Sequence, residues 1–255
     1  MKPSLTIIKV GGAVVEDEAQ LTQLLRDFTA IQGPKILVHG GGRRATKIAE
    51  RLGIETKMVD GRRITDADML RVVTMVYGGL VNKGVVAALQ ARGVNALGLT
   101  GADLGCMLAV KRPVKDIDYG YVGDMEKVDT SILADLISRG VVPVMAPLSF
   151  DGKGTLLNTN ADTIASSVAK ALAERFEVTL VYCFEKAGVL KDPDDDASVI
   201  PLITKESFAG LASDGTVSGG MLPKLQNAFE ALESGVKEVR ITKADAPESG
   251  TRIVL

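Results

Sequence analysis

The sequence predicts an α/β chain in which a largely parallel sheet carries helices on both faces. Two observations lead there: short apolar runs of strand length alternate with stretches of helical period, and glycine turns follow the strands. No internal repeat or low-complexity linker breaks the alternation. The 255 residues suffice for one large domain or two lobes, and for a buried core.

In chain order, residues 5–8 form an apolar strand that ends in Lys9-Val10-Gly11-Gly12. Residues 18–31 place Leu21, Leu24, Leu25 and Phe28 at helical spacing, and Gly33-Pro34 ends that helix. A second strand, 36–38, runs into His39-Gly40-Gly41-Gly42, and 43–52 reads as a helix closed by Gly53. Residues 55–64 read as a hairpin about Asp60-Gly61. Thr65 followed by Asp68 gives a capping signal for a long helix toward Gln90, bent at Gly78-Gly79. Strands are expected at 95–99, 107–110, 121–128 and 141–146, with a helix capped by Ser131 before the last. Asp151-Gly152-Lys153-Gly154 is a turn between two short strands. Asn160 caps a helix to about 174, and 178–183 is a strand. Helices at 207–211 and 221–234 precede strands at 237–241 and 252–255. The acidic stretch 192–198 lacks the glycine and distal glutamate of a calcium loop and reads as a solvated turn.

Composition narrows the function. A net charge of −2 argues against a non-specific nucleic-acid binder, and the absence of Trp argues against base-stacking platforms. No apolar run has the length of a bilayer span, and no signal-peptide pattern is present. Cys106 and Cys183 lack metal-site spacing and fit packing roles in a reducing cytoplasm. With one histidine, any imidazole chemistry would depend on His39, which at a strand end is better read as a loop-bonding residue.

Glycines after two neighbouring parallel strands let backbone N–H groups face a ligand without an intervening Cβ, and Lys9 would stand beside that floor. The arrangement suits phosphate. Lysine beside glycine is usually surface charge, but Lys9 ends an apolar strand, where a solvated lysine is out of place. Lys224 follows the glycine pair of Gly219-Gly220-Met221-Leu222-Pro223-Lys224. Two cations on one phosphoryl group would lower the barrier to its transfer. In Asn158-Thr159-Asn160-Ala161-Asp162, the helix start accounts for Asn160 and Asp162 but leaves Asn158 free, and Asp162 remains available to two ammonium groups. Arg63, just past the hairpin turn, offers a fork for a carboxylate. A competing reading takes Gly40-Gly41-Gly42-Arg43-Arg44-Ala45 as a G-x-G-x-x-A dinucleotide fingerprint with Asp60 for a ribose, hence an NAD-linked oxidoreductase. It does not follow the first strand and leaves both lysines unexplained.

Taken together, the segments at 7–12, 38–42, 61–65, 158–162, 219–224 and 250–253 occur in an order that resembles the amino acid kinase family, and its acylglutamate branch most of all. The resemblance implies a three-layer α/β/α sandwich whose N-terminal lobe (about 1–173) binds the acylated amino acid and whose C-terminal lobe (about 174–255) binds ATP. It implies ATP-dependent phosphorylation of the side-chain carboxylate of an N-acylglutamate such as N-acetylglutamate, in arginine biosynthesis. Lys9 and Lys224 would stabilise the transferring group, and Asp162 would orient them. Gly11, Gly12 and Gly41 would donate to phosphate; Gly41, Gly42, Arg63 and Asn158 would hold the acylglutamate. Phe184, Gly188, Val189, Leu190, Thr216, Val217 and Ser218 would line the ATP site. Mg2+ would be held mainly by the nucleotide. A cytoplasmic homodimer is implied, and because the chain starts almost on its first strand, without the extra helix of arginine-inhibited members, no arginine feedback is expected.

Two departures stand out. Where many members carry an aspartate lining the nucleotide site, this chain has Phe184, within Tyr182-Cys183-Phe184-Glu185-Lys186-Ala187-Gly188-Val189. After the glycine triplet come Arg43 and Arg44, where many have a small or apolar residue. By default either is a helix-start surface charge; alternatively, Arg43 could pair with an additional carboxylate on the acyl group, which would make N-succinylglutamate the substrate.

Overall fold

The computed structural model describes residues 2–59, 61–192, 194–218, 221–244 and 249–255. Its main sheet has eight strands in the spatial order Leu202–Ile203, Thr251–Ile253, Glu238–Lys243, Glu177–Phe184, Ser4–Val10, Lys35–His39, Val142–Met145 and Ala96–Leu99. All pairings are parallel except that of Glu238–Lys243 with Thr251–Ile253.

The first strand shows how the sheet separates two cores. Leu5 and Ile7 point into one cluster with the helices Ala161–Leu172 and Met221–Glu233, whereas Ile8 and Val10 point into another with Glu18–Ala30, Gly42–Arg51 and the long helical segment from Ala67. Such alternation follows from the two-residue period of a strand. By the same period Lys9 falls on the Ile7 face. Chain order reverses beside this strand, which pairs with Lys35–His39 on one side and Glu177–Phe184 on the other. The carboxyl ends of strands at such a reversal form a crevice suited to a ligand.

A smaller sheet, Leu156–Asn158, Leu148–Phe150, Met107–Lys111 and Gly123–Val128, and a hairpin of Met58–Val59 with Arg62–Arg63 lie to one side. The hairpin falls where expected, although Asp60 at its tip lies outside the described residues.

Several sequence expectations need correction. Asp66, not Thr65, caps the long helix, its carboxylate accepting from the Met69 N–H at 2.8 Å. The Thr65 hydroxyl is instead engaged by Arg63 O and Asn158. Asp129, not Ser131, caps Thr130–Ser138, and the helix expected at 207–211 runs Lys205–Ser213 behind a Thr204–Ser207 capping box. The bend expected at Gly78-Gly79 is a π-helical stretch, Thr74–Val81, between Ala67–Val73 and Asn82–Gln90. Together these make a continuous helix of 24 residues in which an 18-residue window has a mean hydropathy of 1.5, enough by length and composition to cross a bilayer, contrary to expectation. Its Val72, Val73, Val76, Val81, Val85 and Leu89 are core residues, and Tyr77 and Asn82 are buried with polar partners.

Candidate active site

Lys9 arrives at the carboxyl end of its strand with 7% of its surface exposed, and its Nζ lies 2.7 Å from Asp162 Oδ1. Asp162 is in the first turn of Ala161–Leu172, whose start is fixed by the Asn160 carboxamide oxygen accepting the N–H of Asp162 at 2.7 Å and of Thr163 at 3.3 Å. The second helix on this face, Met221–Glu233, delivers Lys224 from its own first turn. Gly219 and Gly220, expected to open that helix, lie outside the described residues. Both ammonium groups sit over one ring: Lys224 Nζ is 3.9 Å and Lys9 Nζ 4.9 Å from the Phe184 centroid. Partial burial draws the Lys224 pKa down; the Asp162 charge opposes that shift and Lys9 adds to it.

These groups line a cavity of about 420 Å³ together with Gly11, Gly12, Gly42, Gly188 and Met221. The glycine turns are packed against each other as well as aligned. Gly11 N–H donates to Cys183 O at 3.1 Å and Gly40 N–H to Val10 O at 3.0 Å, and a Cβ on Gly40 would come within 3.0 Å of the Gly12 nitrogen. Contact this close between the turns leaves little room for a side chain there. Five residues expected in the nucleotide site are not part of the described cavity wall. Val189, Val217 and Leu190 are buried: the first two are drawn into the hydrophobic core, and Leu190 bridges to Val199. Thr216 and Ser218 sit in the turn before Met221, where the Thr216 N–H donates to Asp214 and Ser218 O accepts the Met221 N–H. Glu185 and Lys186 take their place in the wall.

A neighbouring pocket of about 200 Å³ brings together Gly41, Gly42, Arg63 and Asn158. Arg63 is 8% exposed and donates from Nη2 to Gly42 O (2.8 Å) and Thr46 Oγ1 (2.9 Å), and from Nη1 to Thr56 Oγ1 (3.2 Å). These oxygens are all neutral. Arg62 and Arg112 also line the pocket, and no Asp or Glu is among its described lining residues. Arg112 is neutralised by Asp124 and Arg62 is exposed, but Arg63 is buried with only neutral partners, and a buried cation without a counter-charge favours an anion with carboxylates in this pocket. Asn158 Nδ2 donates to Thr65 Oγ1 at 2.9 Å, which ties the pocket to the end of the hairpin.

Sequence reading missed Tyr77, which the π-helical stretch presents to the glycine triplet. A Cβ on Gly41 would lie 2.9 Å from Tyr77 Cδ1, and the Tyr77 hydroxyl lies beside the Arg63 guanidinium. Burial raises the Tyr77 pKa, with the Arg63 charge opposing, so the phenol stays neutral. No sequence period announces a π turn; two adjacent glycines inside a helix were the available signal. His39 is fully buried and pairs Nδ1 with Gly40 O at 2.8 Å and Nε2 with Asn82 Nδ2 at 3.1 Å. Desolvation pushes its pKa down to about 4, so it is a neutral brace for the glycine loop. Arg43 does not reach the arginine pocket. Its guanidinium pairs with Glu185 at 3.3 Å on the rim of the larger cavity.

A phosphate-sized cluster of lysines and glycine turns beside a carboxylate receptor, at the carboxyl edge of a parallel sheet, defines a carboxylate-phosphorylating α/β enzyme. The chain belongs to the amino acid kinase family, whose model matches residues 4–243. It is therefore a kinase, and the oxidoreductase reading of Gly40 to Ala45 falls away. The chain is 68% identical over 255 residues to an acetylglutamate kinase of Bacteroides thetaiotaomicron, covering 99% of each. It is 55% identical over 243 residues to one from Cytophaga hutchinsonii, covering 95% of this chain and 92% of the other. Among solved structures, smu.665 from Streptococcus mutans superposes with a TM-score of 0.79 at 27% identity over 98% of both chains.

Proposed function

We propose that this kinase transfers the γ-phosphoryl group of ATP to the side-chain carboxylate of N-acetyl-L-glutamate, giving an acyl phosphate on the route to arginine. The observation that carries the reading is the pair Lys9 and Lys224 above one aromatic ring, next to a pocket in which the buried Arg63 guanidinium has only neutral partners. High identity to curated acetylglutamate kinases over the full chain supports it.

The chemistry fits the residues at hand. The accepting carboxylate, with a free pKa near ~4.3, is already ionised at neutral pH, so no general base is needed. The difficulty is bringing two anions together. Lys9 and Lys224 offset their repulsion and follow the charge that grows on the phosphoryl oxygens, and Asp162 holds Lys9 in place. Backbone N–H groups of Gly12 and Gly41 complete the floor; the Gly11 N–H, expected to join them, is instead taken by Cys183 O, so Gly11 shapes the turn without donating. Arg63 takes a carboxylate of the acylglutamate, with Asn158, Gly41 and Gly42 positioning the remainder. The residues that line the arginine pocket all lie in 1–173, and the 174–255 lobe contributes Phe184, Gly188 and Lys224 to the nucleotide cavity.

Among the described residues no cluster of three acidic, histidine or cysteine ligands could cage Mg2+. Asp162 and Glu185 are each paired with a cation. A hard divalent ion suits this site with nucleotide phosphates and water as its ligands, and its bound role would be charge neutralisation.

A second reading keeps the chemistry and lengthens the acyl group to succinyl. Its support is no longer Arg43 but Arg62, which lines the pocket, whereas Arg112 there is held by Asp124. Met75 and Leu80, exposed on the long helix, and Leu97, exposed on the edge strand Ala96–Leu99, support a homodimer through this face. Two free buried cysteines suit a cytoplasmic setting. Hydroxylamine trapping of the acyl phosphate, with ATP and either acylglutamate, tests the function. Formation of a hydroxamate with N-acetylglutamate supports it, and kcat/KM for the two substrates separates the readings.

A further inference from the structure

Lys9 and Lys224 come from elements far apart in sequence, and their like charges repel. Asp162 is within ion-pair reach of Lys9 at 2.7 Å, so it compensates one of the two directly. The group common to both is Phe184. Its ring lies 3.9 Å from one Nζ and 4.9 Å from the other, so the two nitrogens are separated by no more than the sum of those lengths. The ring is held in turn: it stacks on Tyr182 with centroids 6.1 Å apart and planes 12° from parallel, both on one face of the strand Glu177–Phe184.

We propose that Phe184 is a positioning residue whose ring face gathers the two ammonium groups at the phosphoryl-transfer point without neutralising either. An aromatic quadrupole attracts cations while contributing no net charge. A carboxylate at the same place would attract them too, but it would cancel one of the charges the anionic phosphoryl group needs and would repel that group. Phe184 thus resolves a conflict built into this site. The cations must be held close before substrate binds, yet stay fully positive when it does.

This rests on the kinase reading above, so its test includes a readout independent of turnover. Phe184→Leu keeps an apolar side chain and removes the π face; Phe184→Tyr keeps the face. In the Leu variant kcat should fall roughly ten-fold, the upper part of the range a desolvated cation–π contact supports, with KM for the acylglutamate little changed. The Tyr variant should retain most of the wild-type kcat. Losing the ring removes a group that favours the ammonium form, so the alkaline limb of kcat should move to lower pH in the Leu variant alone. The charged groups facing Lys224 across the cavity, Lys9, Asp162, Arg43, Glu185 and Lys186, are common to all three proteins. Amine-selective labelling of Lys224, followed by mass spectrometry against pH, should show the same displacement in protein that is never asked to turn over. Unchanged kcat and unchanged labelling in the Leu variant would overturn the proposal. So would equal losses in the Leu and Tyr variants without movement of either pH curve. A displaced labelling curve in a protein that yields no acyl phosphate would uphold Phe184 and reject the kinase reading instead.

Discussion

Lys9 Nζ and Asp162 Oδ1 are 2.7 Å apart, although the two residues are 153 positions apart in the sequence: a strand end meets the first turn of a helix packed on the same sheet face. The Asp162 side chain keeps 27% of its surface, against 8% for Lys9, so the carboxylate stays partly solvated while the ammonium is drawn inward toward the cavity. The pair therefore orients a cation rather than locking it away.

Lys9→Ala should lower kcat by about a hundred-fold or more, the scale of deleting a fixed transition-state donor. Near-normal turnover in a folded variant, judged by its melting curve, would refute the role of Lys9.

Asp162→Asn keeps the shape of the helix start, because Asn160 supplies the cap. It removes the charge that offsets Lys9 and Lys224. A fall in kcat of roughly ten-fold is expected, together with a lowered melting temperature, since the pair is mostly buried and losing the carboxylate leaves the Lys9 ammonium without its counter-charge. Comparing kcat with melting temperature checks both halves of the expectation.

Arg63→Lys should raise KM for the acylglutamate more than ten-fold while KM for ATP changes little. The fork that now donates to Gly42 O and Thr46 Oγ1 cannot be reproduced by a single ammonium. Steady-state kinetics with each substrate varied in turn decides it, and parallel changes in both KM values would contradict the separation of the two pockets.

Gly41→Ala places a methyl group 2.9 Å from Tyr77 Cδ1, so the ring must shift, and with it the hydroxyl beside the Arg63 guanidinium and the bonds Arg63 makes to Gly42 O and Thr46. The variant should bind acylglutamate more weakly, by about the 1–2 kcal/mol typical of a disturbed buried hydrogen bond. Calorimetric titration measures this directly.

His39 ordinarily titrates near 6.5 but is held at about 4 in the fold by burial. A base with a depressed native pKa binds its proton more tightly when unfolded, so its neutral form supports the fold above pH 6.5. That support is lost as pH falls from 6.5 toward 4. The loss is on the order of 3 kcal/mol at its full extent. Urea unfolding at pH 7.5 and pH 5 should show a larger decrease for wild type than for His39→Gln; equal decreases would rule out His39 as a source.

The alternation of apolar runs and glycine turns was enough to read a parallel α/β sheet, because burying a strand on both faces demands such runs. It also marked Lys9, since a lysine ending an apolar strand has few structural uses. What one-dimensional order could not contain was which helix starts share a face of the sheet. That depends on strand alternation and crossover together, and it is what brings Asp162 and Lys224 to Lys9. The same dependence turns Arg43, adjacent in sequence to the glycine triplet, away from the acyl pocket to an exposed pairing with Glu185, in line with its reading as a helix-start surface charge, and draws Val189 and Val217 into the core. Tyr77, and the task of the Phe184 ring toward two lysines rather than its place in the nucleotide site, were decided by tertiary structure alone. Nothing in their neighbours' spacing points to a ligand, and their roles follow only once a π turn and a strand end place two rings against charged partners.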